Sequence, residues 1–340
     1  MEVIVPAAGK STRFPNMKPK YLLYDYDNQL MLKRSLGDLI EHNITIVILK
    51  EHDDMFDAST HIRLAIPKAH IVVLDNHTRG PADTVFHGIK ARNIDESAPL
   101  LIKDCDSFFS HIDVAGSYVC VSDITEHETL YNLASKSFIV SNEQGIITDI
   151  VEKQVVSNKF SVGGYKFDSV WNFKKYFDKC THESEIFVSD VISAMLLEQH
   201  TFIENHVTNY IDVGTSQDWF RYNDKCVFFC DIDGTIIEAQ SRIDLRNGVL
   251  PKILFNNVNT LLEKQKNGSQ FIFTTARESL FDAPTRDLLN SLGFKHYRLI
   301  SGLLNAKRVL INDFNTSNPY PRADAINIER NSDTLNLYLK

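Results

Sequence analysis

The sequence predicts two α/β domains in tandem, each a sheet with helices on its faces. Three observations lead there. Short apolar runs alternate with helical spacing through the first two hundred residues, the pattern of βα units around a mainly parallel sheet. A polar stretch at Tyr222-Asn223-Asp224-Lys225 interrupts the pattern, and βα alternation resumes beyond it. The length of 340 residues also exceeds what one core usually serves. The expected domains are residues 1–223 and 226–340.

Taken in order, Val3-Ile4-Val5 is the first strand, followed by a turn of small residues. Ile44 to Leu49, His70 to Leu74, Leu100 to Ile102 and Tyr118 to Val121 read as further buried strands. Ser137 to Val140 and Ile146 to Ile150, joined by Asn142-Glu143-Gln144-Gly145, read as a hairpin that adds antiparallel strands. Asp190 to Leu197 has helical spacing. In the second region, Val227 to Cys230, Phe271 to Thr274 and Val309 to Ile311 are the expected strands. The tail from Asn315 is expected to wrap the surface, with Ala325 to Ile328 as an edge strand.

The apolar fraction of 43% and charged fraction of 24% are those of an ordinary globular protein. A net charge of −8 provides no basic field for a polyanion, so neither nucleic acid nor an anionic membrane is the expected partner. Five scattered cysteines without a Cys-x-x-Cys pair argue for reduced thiols and a cytoplasmic location. Cys226 and Cys230 are expected to be buried small apolar side chains. There is no apolar run long enough to span a bilayer, and no room for a signal peptide before the first strand.

Chemistry concentrates after two strands. The turn Ala7-Ala8-Gly9-Lys10-Ser11-Thr12 exposes backbone N–H groups that cradle phosphate oxygens, and Arg13 and Lys20 add positive charge where a pyrophosphate would leave. The spacing is neither that of a P-loop nor a complete Gly-x-Gly-x-x-Gly. Lys10 is read as a peripheral, solvated side chain. After the second domain's first strand comes Asp231-Ile232-Asp233-Gly234-Thr235, two carboxylates two residues apart.

The first pattern, Gly9-Lys10-Ser11-Thr12-Arg13 with Pro19-Lys20, resembles the sugar-1-phosphate nucleotidyltransferase family. Further motifs extend the resemblance in the family's order: Lys103-Asp104-Cys105-Asp106, Glu152-Lys153, Val162-Gly163-Gly164-Tyr165 and Asp212-Val213-Gly214-Thr215. It implies a Rossmann-like mixed sheet and a Mg²⁺ ion held by Asp106 and Asp212. Arg13 would meet the leaving pyrophosphate, Lys20 and Lys153 would contact phosphates, and Ala8, Gly9, Thr12 and Gly164 would line the ligands. Thr78 to Asp83 stands where the family reads its base, making Arg79, Gly80 and Ala82 base-site candidates. Asp104-Cys105-Asp106 also fits the Asp-x-Asp of nucleotide-sugar-dependent glycosyltransferases, and Glu152-Lys153 also fits an exposed pair without a role.

The second pattern resembles the first motif of the haloacid dehalogenase superfamily. That resemblance implies a Rossmannoid domain in which Asp231 is the nucleophile and Asp233 the acid and base. Thr275 would hold the phosphoryl group and Asp313 would complete a Mg²⁺ site with Asp231 and Asp233. The family's Gly-Lys-Pro is absent, and Lys307 is the nearest replacement, with Arg308 and Lys295 behind it. The short stretch between Asp231 and Thr274 leaves no room for a sizeable cap domain, so closure is expected from the first domain, a neighbouring subunit or the substrate itself, and a homo-oligomer is one way to supply it. The resemblances together imply a bifunctional enzyme: Mg²⁺-dependent nucleotidyl transfer from a pyrimidine triphosphate such as CTP to a phosphorylated small molecule, and phosphomonoester hydrolysis. A non-catalytic second domain is the alternative from a different class.

Overall fold

The computed structural model describes residues 1–110, 112–127, 133–180, 185–313 and 323–339. It divides into two compact units, Met1–Asn223 and Asp224–Lys340.

The first unit holds strands β1 (Glu2–Pro6), β2 (Asn43–Leu49), β3 (His70–Leu74), β4 (Leu100–Lys103), β5 (Ser107–Ser110) and β6 (Ser117–Asp123). They are followed by β7 (Ser137–Ser141), β8 (Ile147–Glu152), β9 (Lys159–Phe167), β10 (Phe202–His206) and β11 (Thr208–Asp212). The main sheet runs β10-β6-β9-β4-β1-β2-β3, with the β7/β8 hairpin attached through β9. β4, β1, β2 and β3 are parallel, whereas β9 is antiparallel to both β4 and β6. Asn-Ile-Thr-Ile-Val-Ile-Leu in β2 is buried along both faces after its first residue, as a central parallel strand must be. One side of the sheet packs helices Pro81–Arg92, Val170–Phe177 and Val188–Leu197 through Val85, Ile89, Phe173 and Ile192. The other side packs Leu32, Leu36, Ile62, Phe138 and Phe160.

Two consequences position the site. Register Glu2 to Leu100 and Ile4 to Ile102 brings the loops that follow β1 and β4 out side by side. A separate antiparallel ribbon of β5 and β11 pairs Ser107 with Asp212, so the loop before β5 and the end of β11 meet.

The second unit contains three parallel strands, β12 (Val227–Asp231), β13 (Gln270–Thr274) and β14 (Arg298–Ile300), in that order. Here two expectations fail. Val309, Leu310 and Ile311 form no strand and are 71, 53 and 88% exposed. A three-residue apolar run has too little pattern to select its partner, and the open edge of β13 is taken by Arg298–Ile300 through backbone pairing. Ala325 to Ile328 is likewise not a strand. The tail instead docks by side chains: Leu335 is buried in the core, and Ile328 and Leu339 pack against it. Fully buried Asn257 binds this segment, donating to the Ser332 carbonyl at 2.8 Å and accepting from the Leu335 N–H at 2.8 Å.

All five cysteines are free thiols, but Cys226 precedes β12 and is exposed, contrary to the burial expected for it. Among the described residues no helix is long and apolar enough to cross a membrane.

Candidate functional site

The loops after β1 and β4 open onto a cavity of about 680 Å³ in the first unit. Ala8, Gly9, Thr12, Arg13 and Lys20 all line it. Phe14, buried against Met31, Phe108, Val213 and Trp219, anchors the loop and leaves Arg13 half-exposed at the cavity. The Ser11 hydroxyl accepts from the Lys20 N–H at 3.3 Å, tying the two ends of the loop together. Open space surrounds Gly9, so its small size serves access and not packing.

Asp106 and Asp212 converge. The Val213 N–H donates to the Asp106 carbonyl at 3.0 Å, and the Gly214 N–H orients Asp212 through Oδ1 at 2.9 Å. Thr215 then caps helix Ser216–Tyr222, accepting from the Asp218 N–H at 3.2 Å. A β-carbon built on Gly214 would lie 3.0 Å from Asp212 Oδ1 and 3.3 Å from Asp106 Oδ2. Both carboxylates therefore face one small space, a donor set suited to a hard divalent cation that takes its remaining oxygens from phosphates and water. Lys20 Nζ donates to Asp106 Oδ2 at 2.5 Å and Arg13 Nη2 lies 3.6 Å from it. Burial pushes the Asp106 carboxyl up, but Lys20 and Arg13 outweigh it and hold the group below the usual carboxylate range.

Asp104 also faces the cavity, and burial together with the Asp106 charge pushes it up to about 6. Its carboxylate lies across Gly163, whose φ is +84° and where a β-carbon would sit 2.5 Å from Asp104 Oδ2. Gly163 lines the cavity; Gly164 instead lies in β9 opposite Lys103, with a built β-carbon 2.8 Å from Cys120 Sγ. Strand packing, not ligand access, explains that glycine.

The turn at residues 78–83 is clipped by backbone: the Ile186 N–H donates to the Arg79 carbonyl at 2.6 Å, and the Ala82 N–H to the Ile186 carbonyl at 3.2 Å. Gly80 has φ +136° and no room for a side chain, because a β-carbon would approach the Ile186 carbonyl oxygen to 2.5 Å. Pro81 starts the helix behind it. Arg79 and Gly80 line the cavity, whereas the Ala82 side chain is in the core. Lys153 is turned toward the rim, its Nζ 4.2 Å from the Phe187 ring and 3.8 Å from Glu185. Glu152 remains at the cavity, where Oε2 accepts from the Ser137 hydroxyl at 2.5 Å and the Ser189 hydroxyl at 2.8 Å.

Two lysines that sequence reasoning passed over belong to the site. Lys136 pairs with Asp212. Lys103, 1% exposed, donates to the carbonyls of Asp104 and Ser107, each at 2.7 Å, and to the Ser107 hydroxyl at 3.0 Å. It staples the loop that presents Asp106, and burial pulls its ammonium down to about 8. A lysine ending an otherwise apolar strand was the available signal for Lys103.

In the second unit, Asp231 and Thr274 are paired across β12 and β13, so the two turns that follow are adjacent. The Thr275 hydroxyl donates to Asp233 Oδ2 at 3.1 Å. Arg277 grips Asp233 with a fork, Nη2 to Oδ1 at 2.7 Å and Nε to Oδ2 at 2.9 Å, an arrangement not anticipated. Arg308, not Lys307, reaches Asp231, with Nη2 donating to Oδ1 at 2.9 Å; Lys307 is exposed. Burial pushes the Asp231 carboxyl up, against the pull of Arg308. Arg330 from the tail packs over Gly234, whose φ is +91°. Asp313 is exposed in a segment without regular structure. Among the described residues no group of three His, Cys, Asp or Glu side chains is placed to hold a metal. The expected trio of Asp231, Asp233 and Asp313 is therefore not assembled, because the strand that was to carry Asp313 does not form.

No protein-family model and no curated protein matches the chain. Solved structures do. A nucleoside-diphosphate-sugar pyrophosphorylase from Vibrio cholerae RC9 is similar with a TM-score of 0.54 at 17% identity, over 64% of this chain and 98% of that one. The inositol-1-phosphate CTP transferase from T. maritima is similar with a TM-score of 0.52 at 16% identity, over 64% of this chain and 90% of that one. At such identities the likeness concerns the fold: 64% of the chain shares the α/β mixed-sheet fold of proteins that carry nucleotidyltransferase names.

Proposed function

We propose that the first unit transfers a nucleotidyl group from a triphosphate to a phosphorylated small molecule. The observation that carries this reading is the convergence of Asp106 and Asp212 above Gly214, in the same cavity as the Arg13 loop. An oxygen of the acceptor's phosphate attacks the α-phosphorus, the new P–O bond forms, and the α–β bond breaks to release pyrophosphate. A divalent cation such as Mg²⁺, held by Asp106 and Asp212, would neutralise α-phosphate charge. Arg13 and the N–H groups from Ala8 to Thr12 stabilise the departing pyrophosphate, and Lys20 positions phosphate oxygens. The turn at Arg79 and Gly80 receives the base, for which a pyrimidine such as that of CTP is the proposal. Glu152, with Ser137 and Ser189, marks the acceptor end; sugar phosphates are the first class to try. Nucleotidyl transfer is favoured over glycosyl transfer because Arg13 and Lys20 bring two cations to the cavity, which suits a departing pyrophosphate that glycosyl transfer does not release.

For the second unit the proposed activity is phosphomonoester hydrolysis through attack of Asp231 on phosphorus, with Thr275 holding the phosphoryl oxygens. A second reading, a phosphate-binding module without turnover, is favoured by the Arg277 fork on Asp233. A carboxylate held bidentately by a guanidinium is poorly placed to deliver a proton to a leaving oxygen.

One experiment addresses both units. The full chain is incubated with Mg²⁺, each triphosphate and a panel of phosphorylated metabolites, following pyrophosphate and inorganic phosphate separately. Pyrophosphate released with one pair is expected; none with any pair would sink the first reading. Phosphate release abolished by Asp231→Asn is expected for hydrolysis, and its absence from the wild-type chain selects the binding module.

A further inference from the structure

Lys136 lies one residue before β7, with a side chain only 15% exposed at the cavity wall. Its Nζ forms an ion pair with Asp212 and donates to the buried Tyr210 hydroxyl at 2.8 Å. The backbone is fixed as well, since the Lys136 carbonyl accepts from the Lys153 N–H at 2.9 Å. Asp106 is in a matching state, paired with Lys20. Each carboxylate that faces the space above Gly214 thus carries its own ammonium.

A divalent cation bound by both carboxylates competes with those ammonium groups, because like charges at contact distance repel strongly in a partly buried site. Lys20 belongs to the triphosphate loop. Lys136 stands between Ser135 and Ser137 in the cavity lining, and Ser137 bonds Glu152 at the acceptor end. Released from Asp212, it remains in the wall of the cavity at that end, where a bound acceptor's phosphate would offer it a new anion. We propose that Lys136 is an exchangeable counter-charge: it neutralises Asp212 in the metal-free chain and moves to the acceptor's phosphate when a divalent cation takes Asp212. The inference rests on the nucleotidyl-transfer reading of this cavity.

The test uses Mn²⁺ binding to the full chain, read by electron paramagnetic resonance without turnover. Lys136→Met is expected to bind Mn²⁺ about tenfold more tightly, the equivalent of one decade in affinity, and inorganic phosphate about tenfold more weakly once Mn²⁺ is bound. Tyr210→Phe, which removes the phenol that holds Lys136, should shift Mn²⁺ binding in the same direction by less. If Lys136→Met does not fold, Lys136→Gln and Tyr210→Phe carry the test. A residue that only supports the fold would weaken metal binding when replaced. Mn²⁺ affinity unchanged or lowered in these variants, while Asp106→Asn abolishes it, overturns the role of Lys136 alone. Mn²⁺ affinity indifferent to Asp106→Asn as well overturns the reading of the site and the proposal with it.

Discussion

At the scale of single residues, the first site separates side chains by what they face. Arg13 is held by the burial of its neighbour Phe14, yet is itself 52% exposed at the cavity. Arg13→Ala is therefore expected to lower kcat/KM for pyrophosphate release by about 10² to 10³, the usual loss of one preorganised charge stabiliser, with the melting temperature unchanged. Lys10→Ala, one turn of the same loop away, should leave the rate alone; a comparable loss would mean that the loop as a whole, and not Arg13, had been disturbed. Arg13, Lys20, Asp106 and Asp212 were legible because each sits in a short sequence motif. Lys136 was not: it meets Tyr210 from 74 positions away, and no local pattern announces that encounter.

At the scale of elements, backbone clips decide which turns tolerate change. Gly80→Ala must place a β-carbon at φ +136° against the Ile186 carbonyl, so a destabilisation of about 1–3 kcal/mol is expected by urea unfolding. Gly9→Ala, with open space around it, should cost less than Gly80→Ala in the same measurement. A pH dependence is expected at the contact between helix Lys50–Phe56 and the segment after the loop of residues 7–13. His52 is buried with Nδ1 3.1 Å from the Tyr21 hydroxyl, and burial lowers its pKa from the ordinary 6.5, with Glu51 opposing and His77 adding to the shift. The folded state thus binds that proton less readily than the unfolded chain. Its stabilising contribution is fully present above the unfolded value and is lost as pH falls from there through the lower folded value. The urea midpoint is expected to drop as pH falls below about 6.5, and His52→Gln to make that drop smaller; an unaltered drop would show that other groups govern it.

For the whole molecule, two compact units carry two different sets of charged side chains, and variants should sort by unit. In the full chain, Asp106→Asn is expected to abolish pyrophosphate release and leave phosphate release intact, and Asp231→Asn to do the reverse, both read in one incubation. Loss of both signals in either variant would contradict separate chemistries. The sequence left closure over the Asp231 turn to the first domain, a neighbouring subunit or the substrate, and the chain's own tail packs there, with Arg330 over the Gly234 turn. A monomer by light scattering that shows both proposed activities would remove the need for a partner.

Long apolar runs such as Ile44 to Leu49 settle their own fate, since a strand buried on both faces has few alternatives, and the hairpin around Gly145 carries its turn in four residues. The mixed sheet and the positions of its loops follow from such local signals. Only tertiary structure decided the partners. Arg308 and not Lys307 reaches Asp231, Arg277 claims Asp233, and Lys136 claims Asp212. Val309 to Ile311 stays out of the sheet, exposed, because three apolar residues carry too little pattern to select a partner strand, while Arg298 to Ile300 pairs with β13. Charged side chains on long stems choose among neighbours by distance and burial, and those exist only once the strands are in place.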